Sequence, residues 1–281
     1  VVSLLPSSSS TSSSYSRFLH PSSTMASSPF LRRATLVAIS GGAYAGTALL
    51  VYNYMTFGQE EQDEVAKQLS QNKDYSYVMD PKRVDRFQSI ADTYDSQIGR
   101  DEAFMGINVL RRALLYFHAK GTVLEVGAGT GRNLPYYPKA VDRVVLSDSS
   151  DQMLQQARTK IQRLPPQKRS RFACLEADAA KLHFDDDSFD TVVDTFGLCS
   201  FDDPVVVLQE LARVCKPGGK ILLLEHGRSK SWLSLSTYLD KNAERHAKNW
   251  GCIWNRDLDD ILQSAGLLKV DRVDTWHFGT T

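Results

Sequence analysis

A glycine-rich turn directly after an apolar run is the feature that most restricts the fold of this chain. The stretch LEVGAGTGRN, residues 124–133, places glycines at Gly127, Gly129 and Gly131. Glycine takes positive φ at no steric cost and lets the backbone approach a ligand, so such a turn is typical of nucleotide-binding α/β sheets. Glycines also occur wherever a backbone needs positive φ, so the surrounding sequence has to decide.

The sequence around the turn alternates short apolar runs with stretches of helical periodicity. This alternation predicts parallel strands joined by crossover helices, an α/β fold of the Rossmann type. Strands are predicted at 122–126, 143–147, 171–176, 189–194, 220–225 and 267–273, and helices at 153–163, 205–215 and 257–264. Asn255 is predicted to cap the start of the last helix and Gly266 its end. A ligand is expected at the carboxyl ends of the strands.

The spacing of the turn separates two classes of nucleotide. The dinucleotide fingerprint G-x-G-x-x-G requires a third glycine where this chain has Arg132, whose side chain is expected to obstruct helix-to-strand packing. Asp148, at the end of the second predicted strand, can accept hydrogen bonds from both ribose hydroxyls of an adenosyl group. Glu125 adds a carboxylate near the expected place of a cationic amino group. The pattern disfavours a nicotinamide dehydrogenase and indicates an adenosyl cofactor.

Further motifs follow in order: LEADA, TFGLCSFDDP and RVCKPGGKILLLEHG. Together with LEVGAGTG and Asp148, they resemble class I S-adenosylmethionine-dependent methyltransferases of the quinone-methylase-like branch, from about residue 84 to the C-terminus. Within that branch the chain is similar to fungal mitochondrial inner-membrane methyltransferase-like proteins and to animal membrane-anchored thiol methyltransferases. The N-terminal composition and TWHFGTT favour the fungal group. The resemblance implies a Rossmann-like sheet with flanking helices and S-adenosylmethionine as the cofactor.

The resemblance also implies which residues hold the cofactor. Tyr94 is expected to close over it, and Asp178 to accept a hydrogen bond from the adenine amino group. Both have an ordinary structural interpretation as well, as a half-buried aromatic and a turn acid. The full predicted set is Tyr94, Glu125, Gly127, Ala128, Gly129, Gly131, Asn133, Asp148, Met153, Asp178, Ala179, Thr195 and Leu198.

Methyl transfer from a sulfonium is an in-line displacement, so the enzyme mainly has to align two atoms. His226, directly after the fifth predicted strand, is the candidate catalytic base, although a structural histidine fits the position equally well. An aromatic-rich segment that follows is the predicted acceptor pocket: Tyr238, Asp240, His246, Trp250 and Trp254. It suits a flat apolar acceptor such as a quinone precursor; a small thiol and a protein stay open as acceptors.

The N-terminal region divides by composition. Residues 1–33 are serine-rich and free of acids, as in a disordered mitochondrial transit peptide or, alternatively, a low-complexity tail. Residues 34–57 carry no charge and as a helix would reach about 36 Å, enough to cross a hydrocarbon core of about 30 Å. They are interpreted as one membrane span, with a secretory signal sequence as the rival. Residues 58–83 form a linker, and 84–281 the methyltransferase domain.

The sequence therefore predicts a methyltransferase anchored in the bilayer of the mitochondrial inner membrane, with the endoplasmic reticulum membrane as the alternative location. A non-catalytic assembly factor for a mitochondrial membrane protein complex is the alternative function. The balance of 33 basic and 33 acidic residues gives no signature of nucleic-acid binding. Four scattered cysteines, without C-x-x-C spacing, argue against a metal site and a disulfide framework. The last strand of this fold is predicted to be truncated at DTWHFGTT.

Overall fold

The computed structural model describes residues 2–6 and 83–281, apart from residues 230 and 267. The helices are α1 (Arg83–Phe104), α2 (Ile107–His118), α3 (Asp151–Gln162), α4 (Pro166–Arg169), α5 (Pro204–Val214), α6 (Leu233–Trp250) and α7 (Leu258–Ala265). The strands are β1 (Val2–Pro6), β2 (Gly121–Val126), β3 (Val141–Asp148), β4 (Phe172–Glu176), β5 (Phe189–Thr195), β6 (Cys215–Leu224) and β7 (Leu268–Val273).

The seven strands form one sheet in the order β4-β3-β2-β5-β6-β1-β7. Strands β2 to β6 pair in parallel, and the order reverses direction between β2 and β5. This arrangement confirms the predicted Rossmann-like α/β fold. It also places the ends of β2 and β5 at the point where such sheets bind their ligands.

The antiparallel strand β1 comes from the extreme N-terminus and lies between β6 and β7. This corrects the sequence interpretation for residues 2–6, which were assigned to a disordered segment; the rest of 1–33 lies outside the described residues. Among the described residues, the C-terminal strand β7 pairs with β1, and the truncation of the last strand stays a prediction. An unpaired sheet edge exposes backbone N–H and C=O groups, and the VSLLP segment supplies partners for two such edges.

Side chains alternate between the two faces of the sheet and build a core on each. On β2, Val123 belongs to the same core cluster as Leu115 of α2 and Ala157 of α3. Its neighbour Leu124 belongs to the other cluster, with Leu208 of α5. Successive side chains of a strand point to opposite faces of the sheet, so neighbouring residues are buried in different core layers. Helices therefore cover both faces, which leaves the strand ends and their loops to form a site.

Capping residues fix where the helices begin and end. The side chain of Asp203 accepts hydrogen bonds from the first turn of α5, and that of Asp257 does the same for α7. The predicted cap Asn255 donates instead to Asp240, because the chain turns into the helix two residues later. Gly266, with φ of 65°, ends α7 in the left-handed conformation as predicted.

Within the part of the chain that is described, we find no helix with the length and apolarity needed to cross a bilayer. The predicted span at 34–57 lies outside the described residues, as does the predicted linker at 58–83 apart from Arg83, which begins α1.

Candidate active site

A cavity of about 770 Å³ opens at the carboxyl ends of the parallel strands. Each of the loops after β2 to β6 contributes lining residues, and so do helices α1 and α6. The five strand ends are represented in turn by Gly127, Asp148, Asp178, Thr195 and His226. A cavity of this size lies in the upper range for sites that bind small molecules and cofactors.

The glycine turn shapes one wall of the cavity. Gly127, Gly129 and Gly131 have φ of 54°, 54° and 74°, values that other residues rarely adopt. A Cβ on Gly129 would find nothing closer than a backbone oxygen at 4.0 Å, so this residue faces open space in the cavity. The Gly129 N–H donates to Asp148 Oδ2 at 2.8 Å, while Asp148 Oδ1 accepts from the Ser150 N–H at 2.9 Å. The turn and the acid after β3 therefore form one unit.

Gly131 serves the packing of the turn rather than the cavity. A Cβ there would lie 2.8 Å from Leu134 and 3.1 Å from Ala157 of α3. A side chain here would force Leu134 and Ala157 to shift and would also strain the backbone at φ of 74°, so glycine suits this close approach to the helix. In the dinucleotide motif the third glycine allows close packing of helix on strand, and here Gly131 does so one position earlier in the sequence.

Arg132 does not enter the interface between helix and strand that the sequence argument assigned to it. Its guanidinium reaches α1 instead, at 2.5 Å from Glu102 Oε2 and 3.1 Å from Asp95 Oδ1. Lys160 of α3 also pairs with Asp95. These contacts fasten α1 to the turn, and α1 carries Tyr94, which lines the cavity. Burial raises the pKa of Tyr94, so its hydroxyl stays protonated.

Arg111 of α2 is the central residue that sequence reasoning missed. It is 4% exposed, and its guanidinium donates to Asn133 Oδ1 (3.1 Å), Thr195 Oγ1 (2.7 Å) and Glu102 Oε1 (2.8 Å). The same group lies 5.0 Å from the centre of the Phe196 ring. One sequence signal could have indicated this role: Arg111 lies on the apolar face of a helix, and a buried arginine needs buried hydrogen-bond partners.

Glu125 is fully enclosed at the end of β2. Its carboxylate accepts from the Tyr137 hydroxyl at 2.5 Å and from Asn133 Nδ2 at 3.0 Å. Burial outweighs these hydrogen bonds and the charge of Arg111, and it raises the pKa of Glu125 to about 7. This carboxyl group therefore changes its charge near neutral pH.

We expect Glu125 to make stability fall as the pH rises from about 4.5 to about 7. The folded state holds the proton more tightly than the unfolded state, so this contribution is complete below the unfolded pKa and lost above the folded one. The slope is measured as the unfolding free energy of the full chain between pH 5 and pH 8. Glu125→Gln should flatten it, and Tyr137→Phe, which removes a donor to the carboxylate, should move the window upward. Equal slopes in all three proteins would contradict the assignment.

Part of the cavity lining is aromatic. His246 and Trp250 of α6 line it together with Trp254, and the His246 ring stacks on Trp254 with centroids 3.9 Å apart. Burial lowers the pKa of His246 to about 4, with repulsion from His226 as a second cause, so the ring is neutral at pH 7. Asp240 lies outside the lining residues and pairs with Arg228 at 2.9 Å. Tyr238 also lies outside them and packs against Trp254.

His226 meets two cysteines that the sequence did not connect with it. Its Nε2 lies 3.0 Å from Cys252 Sγ, and Cys199 is the third member of the group. Burial lowers the pKa of His226, but the charge and hydrogen bond of Cys199 outweigh this and leave it raised. Hydrogen bonds from Cys252 and His226 lower the pKa of Cys199. The candidate base is thus held against thiol groups, where it can share a proton with them.

Most of the predicted cofactor residues come together at this one cavity. Three do not line it: Asn133 lies behind Glu125, Gly131 packs on α3, and Leu198 is 1% exposed within the hydrophobic core. The residues that line it are Tyr94, Glu125, Gly127, Ala128, Gly129, Asp148, Met153, Asp178, Ala179 and Thr195.

Comparison with known families agrees with this geometry. Residues 124–223, which run from the end of β2 to the end of β6, match a family described as a methyltransferase domain. Residues 124–223 are thus similar to a methyltransferase domain. S-adenosylmethionine is the cofactor of this methyltransferase fold family. The match covers the glycine turn, Asp148 and the loop after β5, all of which meet at the cavity.

Two curated relatives extend the likeness beyond the domain. The chain is 34% identical over 240 residues to the mitochondrial methyltransferase OMS1 of Saccharomyces cerevisiae, covering 80% of this chain and 50% of that protein. It is 34% identical over 155 residues to the ubiquinone/menaquinone biosynthesis C-methyltransferase UbiE of Idiomarina loihiensis, covering 52% and 60%. The chain thus spans about half the length of the yeast relative.

A solved structure gives the same result for the fold. The S-adenosylmethionine-dependent methyltransferase of Thermotoga maritima superposes with a TM-score of 0.50 at 22% identity, over 66% of this chain and 79% of that one. At this identity the likeness concerns the architecture only.

Proposed function

We propose that this protein is a membrane-anchored methyltransferase of the mitochondrial inner membrane that transfers the methyl group of S-adenosylmethionine to a flat, apolar small molecule of the quinone-precursor class. The observation that carries the proposal is that Gly129 and Asp148 line the same cavity as the aromatic residues His246 and Trp250. Cofactor and acceptor would then meet in a single enclosed space.

The cofactor end has the shape and charge that an adenosyl group requires. Open space in front of Gly129 leaves room for the ligand, and Asp148 presents its carboxylate at the cavity wall. When bound, S-adenosylmethionine supplies a methyl group activated by its sulfonium. The chain's part is to hold the cofactor through Asp148, to cover it with Tyr94 and to keep the reacting atoms aligned.

The acceptor end favours an uncharged, planar molecule. A neutral His246 stacked on Trp254 gives an aromatic surface without a fixed charge, and Trp250 extends it. Aromatic faces pack best on flat apolar rings. The likeness to UbiE points to the same substrate class, and the likeness to OMS1 supports the mitochondrial location. A small thiol or a protein side chain is the alternative acceptor.

The test supplies the full chain with S-adenosylmethionine labelled on the methyl group and an extract of mitochondrial membranes. We expect label in an apolar, quinone-like fraction, and the transfer should stop when Trp250→Ala removes the aromatic surface. Label only in protein or in small thiols would redirect the acceptor assignment. Absence of label from every fraction, with cofactor binding intact, would count against the enzymatic function.

Helix α2 supports a second function, that of an assembly factor. Its outer side exposes Val109, Tyr116 and Phe117 by 69%, 61% and 73%, respectively, and exposed apolar side chains that lie together can mark a protein interaction site. A partner in a membrane complex would cover it. Complementation of a deletion strain by a variant that cannot bind the cofactor would favour this function, whereas failure of a folded variant would favour the enzyme.

A further inference from the structure

Three side chains with metal-binding atoms converge on the cavity from separate parts of the chain. Cys199 follows β5, His226 follows β6 and Cys252 follows α6, and their ligand atoms all lie within 4.8 Å of one another. All three line the cavity. Sequence spacing argued against a metal site, but it tests only ligands that are neighbours along the chain, and these come from three loops.

We propose that Cys199, His226 and Cys252 bind one Zn²⁺ ion at the wall of the cavity. Thiolate sulfur and imidazole nitrogen are the ligands that Zn²⁺ prefers, at roughly 2.3 Å and 2.0 Å. At those bond lengths, ligand atoms on a tetrahedral ion lie roughly 3.5 to 3.8 Å apart. His226 Nε2 and Cys252 Sγ, now 3.0 Å apart, need to separate by only about half an ångström.

The backbone holds the three ligands in place without an ion. The Ile253 N–H, next to Cys252, donates to the Cys199 carbonyl at 2.8 Å. Arg256 donates to the carbonyls of Leu198 at 2.6 Å and Phe201 at 2.7 Å, on both sides of Cys199. The two cysteine loops are therefore fixed to each other, which removes much of the ordering cost of binding.

His226 is tied to the same framework. Two residues beyond it, the Arg228 N–H donates to the Arg256 carbonyl at 2.9 Å, and the His226 ring packs edge-on against Phe196 at 5.3 Å. Arg256 thus lies behind all three ligand-bearing segments. A ligand set held in this way is preorganised for an ion of fixed geometry.

Three protein ligands leave the fourth tetrahedral position open, as in zinc sites that bind a water molecule or a substrate atom. Because the three ligands line the cavity, the open position faces the space that we assign to the acceptor. The expected occupant is a water molecule or an oxygen, nitrogen or sulfur atom of a small molecule. His246 is not one of the ligands, since its ring is stacked on Trp254.

The experiment titrates Zn²⁺ into the full chain, purified with a chelator and a non-thiol reductant, against a competing chromophoric chelator. We expect one ion per chain. Cys199→Ala with Cys252→Ala should weaken binding by more than about tenfold, because even the loss of an outer-shell partner often costs that much. The matched control is Cys174→Ala with Cys215→Ala, which removes the same number of thiols outside the group and should keep the affinity.

A second measurement needs no variant and so does not depend on how variants fold. X-ray absorption of the zinc-loaded chain should show two sulfur ligands and one imidazole, and Co²⁺ in place of Zn²⁺ should give thiolate charge-transfer absorption. A shell of oxygen and nitrogen alone, or equal losses in both cysteine pairs, would overturn the proposal. S-adenosylmethionine binding is measured in the same samples. A chain that binds S-adenosylmethionine but no zinc would contradict the zinc proposal and leave the methyltransferase function standing.

Discussion

Gly129→Arg abolishes binding of S-adenosylmethionine, by at least about a hundredfold, while the protein stays folded. The reason is geometric: a side chain at this position projects into open space within the cavity and meets no core atom. An arginine there fills the volume next to Asp148 that the cofactor needs. Binding is measured by calorimetry on the full chain, with circular dichroism to verify the fold. Positive φ for a residue with a Cβ costs roughly 1–2 kcal/mol, which a folded domain tolerates.

The matched control for this prediction is Gly218→Arg. Gly218 also has positive φ, 77°, and a Cβ there meets nothing within 4 Å, but it lies in the exposed turn of β6 away from the cavity. It therefore carries the same backbone strain and the same added charge. Cofactor affinity should match the wild type. If both variants bind S-adenosylmethionine normally, the glycine turn is not the cofactor site.

Arg111→Met destabilises the protein by about 3–5 kcal/mol, the usual cost of removing one partner from a buried ion pair. The substitution leaves Asn133, Thr195 and Glu102 without their shared donor in an enclosed space. Because Asn133 also donates to Glu125, the disturbance reaches the wall of the cavity. Denaturant unfolding of the full chain measures the loss.

Arg112→Met is the control, since Arg112 is the next residue of α2 and is exposed. It should change stability by no more than about 0.5 kcal/mol. A similar small effect in Arg111→Met and Arg112→Met would mean that the buried network contributes little.

The order of strands β2 to β6 and the position of the glycine turn could be predicted from the sequence. Short apolar runs predicted β2 to β5 to within two residues at each end, whereas β6 begins five residues before its predicted start. The sequence analysis did not assign helices α1, α2 and α6. The main error was at the sheet edge, where VSLLP reads as part of a polar tail and only the unpaired edges of β6 and β7 make it a strand.

The sequence by itself determined the fold class and the adenosyl turn, because glycine conformation and strand periodicity depend on neighbours along the chain. Only the tertiary structure decided what surrounds that turn. It brought Arg111 to Asn133, fastened α1 through Arg132, and brought Cys199 and Cys252 to His226. These groups are far apart in sequence and share no local pattern. The physical reason is that burial, which sets their partners and their pKa values, is a property of the packed sheet and its loops.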